Sequence, residues 1–170
     1  GKAITLTYKS FRNTEPYTFE THPYCLKVFR QRWYMLAHTP GKEELRIYSL
    51  DRIADIEVLD TPLLLPENFD AADFFSDYFG IIIGHNIKPS ILELKASAEQ
   101  AKYLESLPLH STQEVVETTP EYTIFRYRIV PTFDLKQEIL SRGATLEVLS
   151  PEWFREEVVS EIKQMIKKYD

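Results

Sequence analysis

A chain of 170 residues has room for one large domain or two small ones. A hydrophobic content of 44% with 13% aromatics excludes global disorder, no apolar run approaches the roughly 20 residues of a membrane helix, and the single cysteine, Cys25, excludes an internal disulfide and points to a reducing, cytoplasmic setting. The net charge of −6 argues against a general nucleic-acid binder, and no secretory or transit signal opens the chain.

The first 59 residues read as all-β. Gly1-Lys2-Ala3 runs without a methionine straight into an alternating strand, Ile4, Leu6 and Tyr8 against Thr5, Thr7 and Lys9, as in a piece of a longer chain. Ser10 to Pro16 is a polar turn, and Tyr17 to Thr21 alternates again. His22-Pro23 is expected to interrupt that strand, because proline cannot donate to a ladder. Tyr24 to Phe29 and Arg32 to His38 flank Arg30-Gln31 at hairpin spacing, and Thr39 to Lys42 is a turn before strands at Glu44 to Leu50 and Ile53 to Leu59. About five short antiparallel strands in so few residues imply a small, strongly curved barrel.

Residues 60–89 read as a linker. Pro62 and Pro66 bracket an extended Leu-rich segment, and Asn68 or Asp70 is placed to cap a helix from about Ala71 to Phe79. From Ser90 to the end, residues 90–170, the order becomes β-α-β-β-α-β with a final helix, the ferredoxin-like arrangement. Ser97 caps its first helix, Ala98 to Leu107, and Thr112 to Thr118 and Tyr122 to Val130 form a hairpin. A second helix, Phe133 to Arg142, closes on Gly143, and Ala144 to Leu149 is the last strand. The final helix starts at Ser150-Pro151 and presents Trp153, Phe154, Val158, Ile162, Met165 and Ile166 as its buried stripe. The fold class is therefore α+β, a small barrel followed by a ferredoxin-like domain with a C-terminal helix.

Charge divides along the same line. Residues 1–59 hold nine Lys/Arg and seven Asp/Glu, a net of +2, which leaves −8 for the remainder. The front of the chain is thus the part suited to an anion.

Two motifs in that part resemble the WYL domain. One is Arg32-Trp33-Tyr34-Met35-Leu36, with Met in the third place of the tripeptide that names the family. The other is Arg46-Ile47-Tyr48-Ser49-Leu50-Asp51-Arg52-Ile53, similar to the family's Arg-x-Phe-x-Leu-Asp-Arg-Ile. His22-Pro23-Tyr24-Cys25-Leu26-Lys27 resembles its Pro-Tyr-x-Leu segment, and Phe69 to Gly80, His110 to Gln113, Ile139 to Gly143 and Val148 to Pro151 resemble its linker and C-terminal extension. The resemblance implies an Sm-like or SH3-like barrel that senses a ligand for a bacterial transcriptional regulator. It implies a nucleotide or single-stranded nucleic-acid effector, a homodimer, and duplex-DNA contact only through an N-terminal winged helix-turn-helix that these residues lack.

The candidate ligand-binding residues are Arg46, Arg52, Tyr8, His22, Tyr24, Tyr34 and Lys27. Arg46 and Arg52 are six apart, an even strand separation that puts both guanidinium forks on one face, where they suit phosphate oxygens. The competing reading pairs Arg52 with Asp51 or Asp55 and Arg46 with Glu44. Tyr8, Tyr24 and Tyr34 supply rings on which bases stack, or else barrel core. Trp33 points opposite to Tyr34 and is assigned to packing. His22 and Lys27 enter through their place in the matched segment. Cys25 reads as a core filler, and Arg126 and Arg128 share a strand face that could extend a groove.

Enzyme signatures are missing: no Walker loop, G-x-S-x-G or H-E-x-x-H is present, and His22, His38, His85 and His110 lack metal-ligand spacing. No cofactor or metal is expected, no membrane contact, and Asp73 and Asp77 read as solvated. The alternative to a sensor is a protein-interaction or dimerisation barrel without a small effector.

Overall fold

The computed structural model describes residues 1–84 and 87–169, so His85 lies outside the described residues. The chain divides into two compact units, Gly1–Phe74 and Phe75–Asp170. Each has its own sheet and its own hydrophobic core.

The first unit is a five-stranded antiparallel sheet of β1 (Lys2–Tyr8), β2 (Tyr17–Phe29), β3 (Arg32–His38), β4 (Leu45–Ser49) and β5 (Ile53–Pro62), in the order β4-β3-β2-β1-β5. Alternation sends Ile4, Leu6 and Tyr8 inward, where they meet Met35, Ala37 and Tyr48. The expected break at His22-Pro23 does not occur. β2 runs through Pro23, because it changes partner there: Thr21 is the last residue paired with β1 and His22 the first paired with β3. A register shift between Pro23 and Cys25 absorbs the missing donor. Long β2 thus serves both halves of a barrel-like unit. Arg30 and Gln31 take positive φ, 46° and 65°, as a two-residue hairpin turn requires. Between β4 and β5 a single 3-10 turn, Leu50–Arg52, replaces the continuous strand that the even spacing of the arginines assumed.

In the connector, Asp70 accepts the Asp73 N–H at 2.8 Å and starts α1, which spans only Ala71–Phe75. The longer helix expected to Phe79 is cut short because Tyr78 bridges to Val130 and the Asp77 carbonyl accepts the Val130 N–H.

The second unit has β6 (Ser90–Ser97), α2 (Ala98–Ser106), β7 (Glu114–Thr118), β8 (Tyr122–Ile129), α3 (Phe133–Ser141), β9 (Leu146–Ser150) and α4 (Glu152–Ile166). Its strand order, β7-β8-β6-β9, all antiparallel, is that of a ferredoxin-like βαββαβ sheet. The helices bury Leu104, Leu135, Ile139 and Phe154 against Leu92, Leu94, Phe125 and Tyr127. Ser97 caps α2 by accepting the Gln100 N–H, and Gly143 takes φ +59° after α3, both as the sequence indicates. The α4 stripe is only half covered. Phe154 and Val158 are buried, but Trp153, Ile162, Met165 and Ile166 are exposed. Among the described residues no helix is long and apolar enough to cross a membrane.

Candidate functional site

The site begins with rings. Tyr8, at the end of β1, is buried, and its hydroxyl accepts the Ser49 N–H at 3.2 Å. Its ring stands edge-on to Tyr48 with centroids 5.2 Å apart, while Tyr17 stacks on Phe19 at 5.3 Å and Phe19 reaches Tyr48 at 5.3 Å. Burial pushes the phenols of Tyr8 and Tyr48 above their ordinary pKa. A hydrogen bond to each and the charges of Arg52 and Arg46 offset part of that rise. The two arginines of the Arg-x-Tyr-x-Leu-Asp-Arg segment therefore both attend this cluster.

Arg52 is the more constrained. Its guanidinium carbon lies 5.5 Å from the Tyr8 ring centroid and 4.7 Å from that of Phe11. Its Nε is buried with no hydrogen-bond partner. Asp51 is not hydrogen-bonded to it: that carboxylate accepts the Ser49 hydroxyl and faces Arg32 Nη1 at 3.4 Å, and acts on Arg52 only through its charge. The Ser49 hydrogen bond first, and the Arg32 charge less strongly, hold the Asp51 carboxyl below the usual carboxylate range. Arg52 opens on a cleft of about 490 Å³ lined also by Lys9, Ser10, Phe11, Asn13, Asp51, Ile53 and Ala54. Arg46 pairs in register with Ala37 and so shares the side of Tyr48; it is exposed and forms no ion pair among the described residues, with Glu44 or otherwise. What this arrangement can do is hold an oxyanion beside flat rings; among the described residues no cluster of side chains is set to hold a metal.

Comparison with known proteins fits this geometry. The model of the WYL domain matches residues 1–58, and that of the WCX domain matches residues 90–166. The chain is a WYL domain joined to a WCX domain. The WYL match supports a regulatory sensing module, and no enzymatic family is indicated. No match was found among curated proteins. Among solved structures, the chain resembles the proteasome accessory factor B/C (PafBC) of Arthrobacter aurescens at 18% identity and TM-score 0.41, covering 100% of this chain and 25% of that one. It resembles a CRISPR Cas-related protein at 14% identity and TM-score 0.52, covering 99% of this chain and 48% of that one. The second likeness supports the fold. The chain spans between a quarter and half of those longer proteins.

Within the WYL domain the seven sequence candidates fall into two groups. Tyr8, Arg46 and Arg52 gather at the ring cluster. Lys27 pairs with Tyr34, and Tyr34 with Ser49, on the opposite wall of the sheet, since strand alternation separates them from Met35 and Tyr48. His22 and Tyr24 belong with that wall. His22 is 1% exposed, its Nδ1 accepts the Leu64 N–H at 3.1 Å, and its Nε2 lies 3.7 Å from Glu20. Tyr24 packs edge-on to Phe69 at 5.0 Å and stacks on His38 at 6.4 Å. Burial raises the pKa of Cys25, which is half-buried. Trp33, assigned to packing, is instead exposed.

In the WCX domain, Arg126 donates to Glu93 from both Nε and Nη2, at 3.0 and 2.8 Å, and Arg128 pairs with Asp77 at 2.5 Å. Neither is open to a ligand as the strand pattern suggested, and Asp77 is not merely solvated. The residue that sequence reading missed is Phe11. Its signal was a lone large aromatic in an otherwise polar turn; it is 83% exposed and lies on Arg52.

Proposed function

We propose that the WYL domain is the sensing module of a bacterial transcriptional regulator and binds an anionic nucleotide or single-stranded nucleic acid at Arg52. The observation that carries this is the state of that arginine: set against the rings of Tyr8 and Phe11, its Nε unbonded, on the wall of an open cleft whose one carboxylate, Asp51, is engaged by Ser49 and Arg32. Arg holds phosphate oxygens through its fork, and an adjacent exposed ring offers a stacking surface for a base. Lys9 and Arg46 add charge. We assign residues 1–59 to the sensor, 60–89 to a linker and 90–170 to the extension. Duplex DNA falls to a reader domain outside these residues, in a cytoplasmic homodimer.

The test is a binding screen of short single-stranded DNA, RNA and cyclic nucleotides against the whole chain. The double change Arg46→Ala and Arg52→Ala is expected to weaken the best ligand at least tenfold, since charge-assisted hydrogen bonds contribute about 1.5–3 kcal/mol each. Circular dichroism should show the fold intact. Undiminished affinity in a folded double variant would remove the arginines from the site.

A second reading makes the barrel a protein-interaction surface. It is favoured by Leu26, Val28 and Trp33, 56%, 51% and 54% exposed on neighbouring positions of the β2–β3 hairpin. Failure of every anionic ligand in the screen would favour it.

A further inference from the structure

One end of the WYL sheet is an open edge. Among the described residues β5 pairs only with β1, and its regular register covers four residues, from Thr7↔Asp55 to Ile4↔Val58, with a shift at either end. The outer side of β5 therefore presents alternate backbone N–H and C=O groups that no strand takes up. Ile56 and Val58 fall on the face of Leu6 and Ile4, yet they are 49% and 64% exposed, with no further strand beside them.

The other face of the same stretch is acidic. Asp55 and Glu57 point that way, are exposed, and form no ion pair among the described residues. Their rows across the sheet continue through Thr7 to Thr18 and through Thr5 to Glu20, so no cation stands in either. Ile53 to Pro62 holds three acidic residues and no basic one, although residues 1–59 carry a net +2. Of the three, Asp60 has a partner in Lys2 at 2.8 Å.

A strand added at this edge sets each residue directly opposite one of β5, with Cβ atoms about 4.5–5.5 Å apart, where opposite charges attract and like charges repel. The guest that fits has basic residues opposite Asp55 and Glu57 and apolar ones opposite Ile56 and Val58. A second copy does not supply it. Antiparallel pairing of β5 with itself about Ile56 sets Asp55 against Glu57, and about Glu57 it sets Glu57 against itself. The other edge strands, β4, β7 and β9, hold one basic residue between them, Arg46.

We propose that the β5 edge takes up a short extended segment of a different protein, in which basic and apolar residues alternate, as a sixth strand of the WYL sheet. Main-chain hydrogen bonds supply the affinity and the two carboxylates the choice of partner. The site does not depend on anion binding at Arg52.

The probe is the peptide acetyl-Thr-Lys-Val-Lys-Val-Thr-amide, titrated into the intact ¹⁵N-labelled chain. The amide resonances of residues 55–58 should shift saturably, and the outward-facing N–H groups among them should exchange more slowly with deuterium. The same peptide with Glu for Lys should bind about tenfold more weakly, and the double change Asp55→Lys and Glu57→Lys should reverse that preference. Circular dichroism checks the fold of the variant, and the peptide arms stand without it. Two further peptides, methylated at the backbone nitrogens of the lysines or of the valines, separate strand pairing from side-chain contact. Only alternate N–H groups of a strand face its neighbour, so one of the two should lose binding and the other keep it. The proposal is overturned if residues 55–58 do not respond, if the acidic peptide binds as well, or if the two methylated peptides bind alike. It is equally overturned if raising the protein concentration alone protects those residues, because the edge then belongs to a second copy.

Discussion

An arginine whose Nε is withdrawn from water and bonded to nothing is destabilising by about 1–3 kcal/mol unless a partner arrives. Its neighbour in sequence, Asp51, is the nearest candidate, and the 3-10 turn Leu50–Arg52 directs the two side chains to different partners. Asp51 goes to Ser49 and Arg32, and Arg52 to Tyr8 and Phe11. The Asp51 carboxyl is lowered in the folded chain, so its contribution to stability is present above the unfolded value, near 4, and is lost as pH falls through the folded one. A carboxyl-detected NMR titration should therefore place the Asp51 midpoint below that of an ordinary aspartate. Ser49→Ala should move it back further than Arg32→Gln, because the hydroxyl is the stronger of the two influences. The opposite ranking would mean that the Arg32 charge, not the hydroxyl, is the main hold on the Asp51 carboxylate.

At the scale of elements, the tightest junction is between α3 and the segment that follows α1. Asp134, in the first turn of α3, accepts the N–H groups of Ile81 and Ile82, each at 2.8 Å. A Cβ on Gly80 would stand 2.3 Å from its Oδ2 and 2.7 Å from its Cβ, so the carboxylate can approach only a glycine. Gly80→Ala should cost about 2–4 kcal/mol, through displacement of a buried charged acceptor and two stranded donors. Asp134→Asn, which keeps one oxygen, should cost less in the same urea denaturation series. Equal, small losses would show that the backbone shifts freely there. Gly80 stands out in the sequence beside Phe79, but the reason for it does not, because its partner lies more than fifty residues away. The same limit explains the other departures. Alternation located the strands of both sheets, and turn residues located the loops. Pro23 stays inside β2 only because β2 changes partner there, and α1 stops at Phe75 because Tyr78 pairs with Val130. Helical spacing identified the apolar face of α4 correctly but carries no information on what covers Met165. In the site, the motif marked Arg46 and Arg52. Phe11 was not legible, since its contact with Arg52 joins one turn to another 41 positions on.

Over the whole molecule, charge decides how much of an anionic strand can be engaged. Residues 1–59 carry a net +2 and the rest −8, so a polyanion finds attraction at the WYL domain and repulsion along most of the remaining sequence. A ligand held by Lys9, Arg46 and Arg52 alone neutralises about three phosphates, and single strands give a slope of log K against log salt of about −0.7 per phosphate. The expected slope for a short oligothymidylate between 50 and 200 mM salt is then about −2, and Arg52→Ala should reduce its size by about 0.7. A general nucleic-acid surface would give a much steeper line that no single arginine changes appreciably. A flat line would mean that the ligand carries no phosphate to this cleft, and that the stacked Arg52 is a packing device rather than a receptor. The slope and its change in one variant together distinguish a local receptor from a diffuse basic surface, which affinity at one salt concentration does not.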